Sequence, residues 1–536
     1  MSLSQLLLII AFILFICIGF QKISGKTGIP GLFIFIVIGM LFGLVFKKDF
    51  EFSLANDLCS VALIFIMFYG GVGTKWSKAK PVAKQAIILS SLGTVLTAFF
   101  VGLFCFYVLQ VPILESLLIG SVICSTDAAS VFSILRSKKM NLKYGTASMI
   151  EVESGSNDPF SYMLTTIILT IMVGGSSSFG QIFLLLILQI VLGLVFGFLF
   201  AFLTKYILKK VEFKDGGFDL AFLVAIAVIT YALPTLLKGN GYLAVYITGI
   251  VIGNSNITTK KNVVHFFDGI TSIIQMLMFF LLGLLSTPAN LIKVEVFGIA
   301  FLIALFLTFV ARPLAVFISM SIFKAKPKQQ LLVSWTGMRG VASIVFAIIA
   351  VTTLEGMNSL EYDLFHIVFF IVLFSILLQG SLLPLVAKKL DMIDYTEDVM
   401  KTFNDYLEET PVQFIQFSIP SNHKWIGKKI HEITFPPESI LVLVVRNNKK
   451  IIPNGNTKLQ ENDLLILSGK DSSRVEGINL YEKTIDLNDE LVNKKIKEIS
   501  MTDNLIILIK RQNYVIIPRG DTIVKLGDIL VINDTK

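Results

Sequence analysis

Residues 151–158 read EVESGSND, and shortly before them residues 125–130 read STDAAS. Both stretches lie in otherwise apolar surroundings, where a charged side chain at bilayer depth costs about 2.5 to 3.5 kcal/mol. On a helix, Ser154 and Asp158 are four residues apart and Ser154 and Asn157 three, so they share a face, and Glu153 and Asn157 share the adjacent one. A carboxylate, an amide and a hydroxyl gathered in this way are hard oxygen donors suited to a small alkali cation. Burial also disfavours the charged form of an acid, so the same carboxylate takes up a proton when no cation is bound. Arg312 and Arg339 are the basic groups at similar depth, against the four acids Asp127, Glu151, Glu153 and Asp158. At least one acid must therefore be protonated or ion-bound. A buried glutamate is best tolerated beside an arginine, and Arg339 is the partner expected for Glu153.

The elements that must position these groups are membrane helices. The chain has 536 residues, 54% hydrophobic and only 16% charged. Apolar runs up to about residue 389 are long enough to cross ~30 Å of hydrocarbon, and no later run is. About thirteen spans are expected between residues 3 and 387, beginning with a retained first span at 3–21 that lacks the basic flank of a signal peptide. Lys/Arg residues concentrate in the loops after odd-numbered spans, which places the N-terminus outside and the tail in the cytoplasm of a plasma (inner) membrane protein. The net charge of +8 arises from these loops. Without a basic stripe interleaved with aromatics, a nucleic-acid partner is not expected. The four cysteines lie in apolar runs and read as packing residues.

Two spans carry polar or glycine-rich interruptions at mid-depth: the fifth (112–135) at Thr126 and Asp127, and the twelfth (330–354) at TGMRGVAS, where Gly337 and Gly340 flank Arg339. Such stretches are tolerated in lipid where they line a cavity. The two spans are seven apart, so halves made of spans 1 to 6 and 8 to 13 place the breaks in corresponding positions, with the second half inverted.

Beyond residue 389 the pattern changes to short alternating runs with turn punctuation. RNNKKIIPNGNTKLQENDLLIL from Arg446 aligns without gaps, 65 residues on, with RQNYVIIPRGDTIVKLGDILVI from Arg511. Two copies of one small α+β module follow from this. The resulting division is a membrane domain at 1–389, a linker at 390–410, and modules at 411–475 and 476–536.

The combination of STD, EVESGSND, TGMRGV and the early GIPGLFIFIVIGMLFG resembles the NhaP-type (CPA1) cation/proton antiporters over residues 1–389. The resemblance implies a polytopic α-helical membrane protein with inverted repeats and two interrupted crossing helices, a homodimer in the lipid bilayer, and exchange of Na+ or K+ for H+ without a cofactor. By the same resemblance Asp158 binds cation and proton in turn, with Thr126, Asp127 and Ser154 coordinating or close by. Asn157 then stabilises the crossing and marks electroneutral exchange, Glu153 pairs with Arg339, and Arg312 belongs to the structural core. Many relatives carry an acid before the paired glycines of the third span, where this chain has Tyr69. Each tail copy resembles the TrkA-C (RCK-C) module of potassium transporters and channels, which favours K+ over Na+. Some such modules bind cyclic di-AMP, for which Arg446, Ile452 and Pro453, or Arg511, Ile517 and Pro518, are the candidates. Two other functions fit parts of the sequence: a cation channel gated by the tail, and an intramembrane aspartyl protease using Asp127 and Asp158 as a dyad.

Overall fold

A computed structural model describes residues 31–46, 52–74, 76–138, 140–174, 178–211, 217–255, 260–355, 360–394, 412–436, 439–446, 449–470, 479–486, 489–499, 504–511, 514–516, 518 and 520–534, with four isolated positions before residue 31. The chain divides into two compact units at residues 409 and 410.

The first unit is helical. Its helices are α1 (Gly31–Phe46), α2 (Phe52–Gly73), α3 (Ala83–Tyr107), α4 (Ile113–Ile123), α5 (Ala128–Ser137), α6 (Thr146–Gly174) and α7 (Phe179–Lys210). They continue with α8 (Phe218–Leu236), α9 (Gly241–Gly253), α10 (Lys260–Leu285), α11 (Val294–Ser321), α12 (Pro327–Trp335), α13 (Val341–Thr353) and α14 (Leu364–Lys389). Among the described residues eight helices are long and apolar enough to cross a bilayer, counting α4 with α5 as one. With α1, α6, α9 and the α12–α13 pair they account for twelve of the expected spans. Apart from those four isolated positions the first expected span, 3–21, lies outside the described residues, as does Cys17. Cys59, Cys105 and Cys124 are buried without disulfides.

Inversion of the halves is written in glycines. Helix α1 packs along α10 where a Cβ at Gly39 would lie 2.1 Å from the Phe280 carbonyl oxygen, at Gly43 2.8 Å from that of Leu284, and at Gly283 2.0 Å from that of Ile36. Helix α2 packs along α9 in the same way: a Cβ at Gly249 would lie 2.5 Å from the Phe68 oxygen, at Gly253 2.1 Å from that of Val72, and at Gly71 2.4 Å from that of Tyr246. Each pair thus uses a G-x-x-x-G face against a single glycine, so that the backbones themselves touch, the usual means of close helix approach in lipid. Exchanging α1 with α9 and α2 with α10 carries one pair onto the other. Equivalent helices are seven crossings apart and therefore run in opposite directions. Corresponding α3 and α11 also share a π-helical turn, at Leu89–Gly93 and Leu307–Ala311.

Loop contacts agree with the alternation of spans. Strand β1 (Asn141–Leu142), before α6, pairs with β2 (Ile393–Asp394), after α14, and Lys143 Nζ lies 3.0 Å from Asp391. Lys326, before α12, donates to Tyr144 Oη at 3.0 Å. On the other face, Glu115 at the start of α4 accepts from the backbone N–H groups of Glu361 and Tyr362, before α14.

The second unit holds two four-stranded antiparallel sheets. In the first, β3 (Val412–Ser418), β4 (Ser439–Arg446), β5 (Lys449–Ile451) and β6 (Leu464–Lys470) are ordered β3-β6-β4-β5. In the second, β7 (Asn479–Thr484), β8 (Asn504–Arg511), β9 (Tyr514–Ile516) and β10 (Ile529–Asp534) are ordered β7-β10-β8-β9, the same topology. Each sheet has its own apolar core.

Candidate ion-binding site

The fifth span unwinds at residues 124–127, between α4 and α5, and the twelfth at residues 336–340, between α12 and α13. Breaking a helix leaves carbonyls at one new end and N–H groups at the other without partners. Each set finds one here. Arg339 Nη1 donates to the carbonyls of Cys124 and Ser125, placing a positive charge at the negative end of α4. At the start of α5, Asp127 accepts from the N–H groups of Ala129 (3.0 Å) and Ser130 (3.3 Å), and Ser154 Oγ accepts from that of Ala128 (2.9 Å). The two breaks are joined where Asp127 N–H donates to the Met338 carbonyl at 2.8 Å. Glycine is required at Gly340, because a Cβ there would sit 2.2 Å from Asp127 Oδ2.

Helix α6 crosses beside this point. Glu153 is buried and accepts from Arg312 Nη2 (3.0 Å), Asn157 Nδ2 (3.0 Å) and Thr126 Oγ1 (3.3 Å). Its partner is therefore Arg312, from α11, and the expected pairing with Arg339 is corrected. The physical reason is the unwinding itself: exposed helix-end carbonyls hold the Arg339 guanidinium, leaving Arg312 to neutralise the acid. Asn157 also donates to Thr126 Oγ1 at 2.6 Å, and Ser154 Oγ donates to the Thr126 carbonyl at 2.8 Å. These bonds fasten α6 to the broken span.

Asp158 is treated differently. It is 8% exposed and accepts a hydrogen bond from Ser125 Oγ. Among the described residues no ion pair reaches it. It lines a cavity of about 380 Å³ together with Thr126, Asp127, Ser154 and Glu151. Further lining comes from α2 and α10, including Tyr69 and Asp268, and Tyr69 Oη donates to the Asp268 carboxylate. Asp127 caps α5 while Asp158 bonds Ser125, so the two aspartates do not form the hydrogen-bonded dyad that a protease would need.

The sequence reading missed Asp268. It lies eight residues past Lys260, inside the tenth apolar run, and is not among the acids singled out at membrane depth. Its face was nevertheless legible, since Asp268, Thr271, Ser272 and Gln275 fall at the i, i+3, i+4, i+7 spacing of one helical stripe, and all four line the cavity.

In the tail, Arg446 forks onto Asp463, with Nε–Oδ1 and Nη2–Oδ2 both 2.7 Å, and Nη2 also donates to the Lys458 carbonyl. Arg511 repeats this with Asp528 at 2.7 Å and the Ile523 carbonyl. Burial raises the pKa of both aspartates, but hydrogen bonds from the arginine and from one backbone N–H outweigh it and hold both below the ordinary carboxylate range. Both guanidinium forks are thus engaged within their modules. Ile452 is exposed, Pro453 and Pro518 are half-buried, and Ile517 lies outside the described residues.

Comparison with known proteins places these features in a family. Residues 8–389 match the family model of the sodium/hydrogen exchanger, transmembrane region, and residues 414–474 and 480–532 each match the TrkA-C domain. The K(+)/H(+) antiporter NhaP2 of Shewanella baltica (strain OS223) is 29% identical over 496 residues, covering 90% of this chain and 84% of that protein. The K(+)/H(+) antiporter NhaP of Alkalimonas amylolytica is 30% identical over 467 residues, covering 86% and 80%. Among solved structures, the sodium proton antiporter MjNhaP1 of Methanocaldococcus jannaschii superposes with a TM-score of 0.64 at 24% identity, covering 73% of this chain and 99% of that one, and so shares the fold. The chain belongs to the sodium/hydrogen exchanger family of cation/proton antiporters and ends in two TrkA-C domains.

Proposed function

We propose that this antiporter exchanges K+, in preference to Na+, for H+ electroneutrally, by competition of the two ions for Asp158 as the membrane domain alternates between its two sides. The observation that carries this reading is the contrast within α6: Glu153 is neutralised by Arg312, whereas Asp158 faces a cavity with, among the described residues, only a serine hydroxyl on it. A carboxylate left without a basic partner in such a place holds a proton or a metal cation, and not both. Thr126, Asp127 and Ser154 supply the surrounding oxygens, Asn157 and the Glu153–Arg312 pair brace the crossing, and Arg339 closes the helix end. The names of two K(+)/H(+) antiporters at about 30% identity, with the paired TrkA-C domains, favour K+. Asn157 in place of a second acid supports electroneutrality. A homodimer in the plasma membrane, with a cytoplasmic tail that regulates exchange, completes the reading.

The test is dequenching of a pH-sensitive dye in proteoliposomes on addition of K+, Na+, Li+ or Rb+. The wild type is expected to respond most strongly to K+, at a rate independent of an imposed potential, and Asp158→Asn to show no exchange. Full activity in Asp158→Asn would remove Asp158 from this role, and voltage-tracking K+ flux without proton movement would favour a channel.

A further inference from the structure

Four carboxylates, those of Asp127, Glu151, Asp158 and Asp268, line the cavity, and among the described residues no lysine, arginine or histidine does. Asp127 caps α5 and Asp158 is the exchange site proposed above. Asp268 stands apart from both, on α10. One helical turn on, Thr271 also lines the cavity; the residue is only 4% exposed, and its hydroxyl has no hydrogen-bond partner among the described residues. A hydroxyl one helical turn from a carboxylate, with no hydrogen-bond partner, has oxygen lone pairs that nothing else engages.

We propose that Asp268 and Thr271 form a second monovalent-cation position in the cavity, covered by the Tyr69 hydroxyl. Its depth follows from the helices. Both α6 and α10 begin on the face that carries the basic loops. Asp268 lies eight residues into α10, about 12 Å, and Asp158 twelve residues into α6, about 18 Å. A cation coming from that face meets Asp268 before Asp158, with Glu151, five residues into α6, nearer the face still. The carboxylate of Asp268, the hydroxyls of Thr271 and Ser272 and the amide oxygen of Gln275 offer oxygen ligands along one stripe, suited to an ion that has shed part of its water. Tyr69 donates to Asp268, so an arriving cation competes with that bond, and the tyrosine sets how readily the position fills. Its place is fixed, because Gly71, two residues on, is packed against the α9 backbone.

This inference rests on the cavity being the cation route, and two readouts separate the claims. The first is thermal stability of the purified full-length protein in KCl against choline chloride at equal ionic strength. Asp158→Asn is expected to retain part of the K+ stabilisation, and the Asp158→Asn/Asp268→Asn and Asp158→Asn/Thr271→Val double variants to lose it. The second is exchange in proteoliposomes. Asp268→Asn is expected to raise the apparent KM for K+ about tenfold while kcat stays within about twofold, the loss of a binding contact rather than of the exchanging group. Tyr69→Phe is expected to lower that KM, and to do nothing further in the Asp268→Asn background. An unchanged KM in Asp268→Asn, or K+ stabilisation that survives both double variants, would overturn the second position. Full exchange by Asp158→Asn would instead overturn the exchange-site reading, which the stability measurement does not depend on.

Discussion

In each tail module a fully buried aspartate is clasped by an arginine fork, Asp463 by Arg446 and Asp528 by Arg511. In the membrane unit Glu153 has a partner of the same kind in Arg312, whereas Asp158, five residues along the same helix, has a serine hydroxyl and a cavity. All four acids are withdrawn from solvent, so burial does not separate them. The partner does. An acid clasped by an arginine is committed to one charge state and acts as a brace. On the exchange reading proposed above, the acid left without one changes occupancy, and the surrounding pairs hold the crossing as it does so.

Removing each acid in turn should divide the four into these two kinds. Asp158→Asn is expected to have the largest effect on activity and the smallest on the fold: exchange disappears in proteoliposomes, while thermal stability in detergent is kept or rises, because a buried charge has been removed without orphaning a partner. Glu153→Gln leaves Arg312 buried and unpaired, which costs about 3 to 5 kcal/mol. It should show as a steep fall in melting temperature, with a double Glu153→Leu/Arg312→Met variant recovering much of it. A single variant as stable as the wild type would contradict the bracing role.

A smaller effect, about 1 to 3 kcal/mol, is expected for Gly249→Leu on α9 and similarly for Gly39→Leu on α1, since each added side chain meets a carbonyl of the facing helix. Equal losses from these two positions, 210 residues apart, would support the inverted repeat. A loss at one position alone would break the equivalence.

The tail pairs should give the mildest response. With Asp463 and Asp528 held below the ordinary carboxylate range when folded, their contribution is fully present above the unfolded value of about 3.9, and is lost as pH falls through the lower folded value. Trp425 packs against Phe435 in the first module. Its emission, in a W76F/W335F background, should report unfolding as pH drops below about 4, and Asp463→Asn should flatten that dependence. An unaltered acid profile would mean that the Arg446 pair contributes nothing to the module.

Much of this arrangement is legible from residue order. Hydropathy marks the spans because a bilayer demands about 20 apolar residues per helix, and the two breaks announce themselves as small and polar residues where apolar ones are expected. The tail repeat is visible because a 65-residue offset preserves both the Arg446 and Arg511 forks and their acids. The arginine assignment was not legible: whether Arg312 or Arg339 meets Glu153 depends on where α11 crosses α6 and on which guanidinium the unwound carbonyls capture. Nor was the glycine pairing, since Gly39–Gly43 and Gly249–Gly253 match only when two helices far apart in sequence are set against their partners. Asp268 is not singled out by residue order because it is one acid near the basic end of an apolar run, although the stripe through Gln275 marks its face.

The central claim is competition at one carboxylate, and its most direct test is the apparent KM for K+ measured across pH in proteoliposomes. If H+ and K+ exclude one another from Asp158, KM rises about tenfold for each unit of acidification on the acid limb while the maximal rate at saturating K+ is unchanged. A KM that stays constant while the maximal rate falls with pH would contradict a shared site.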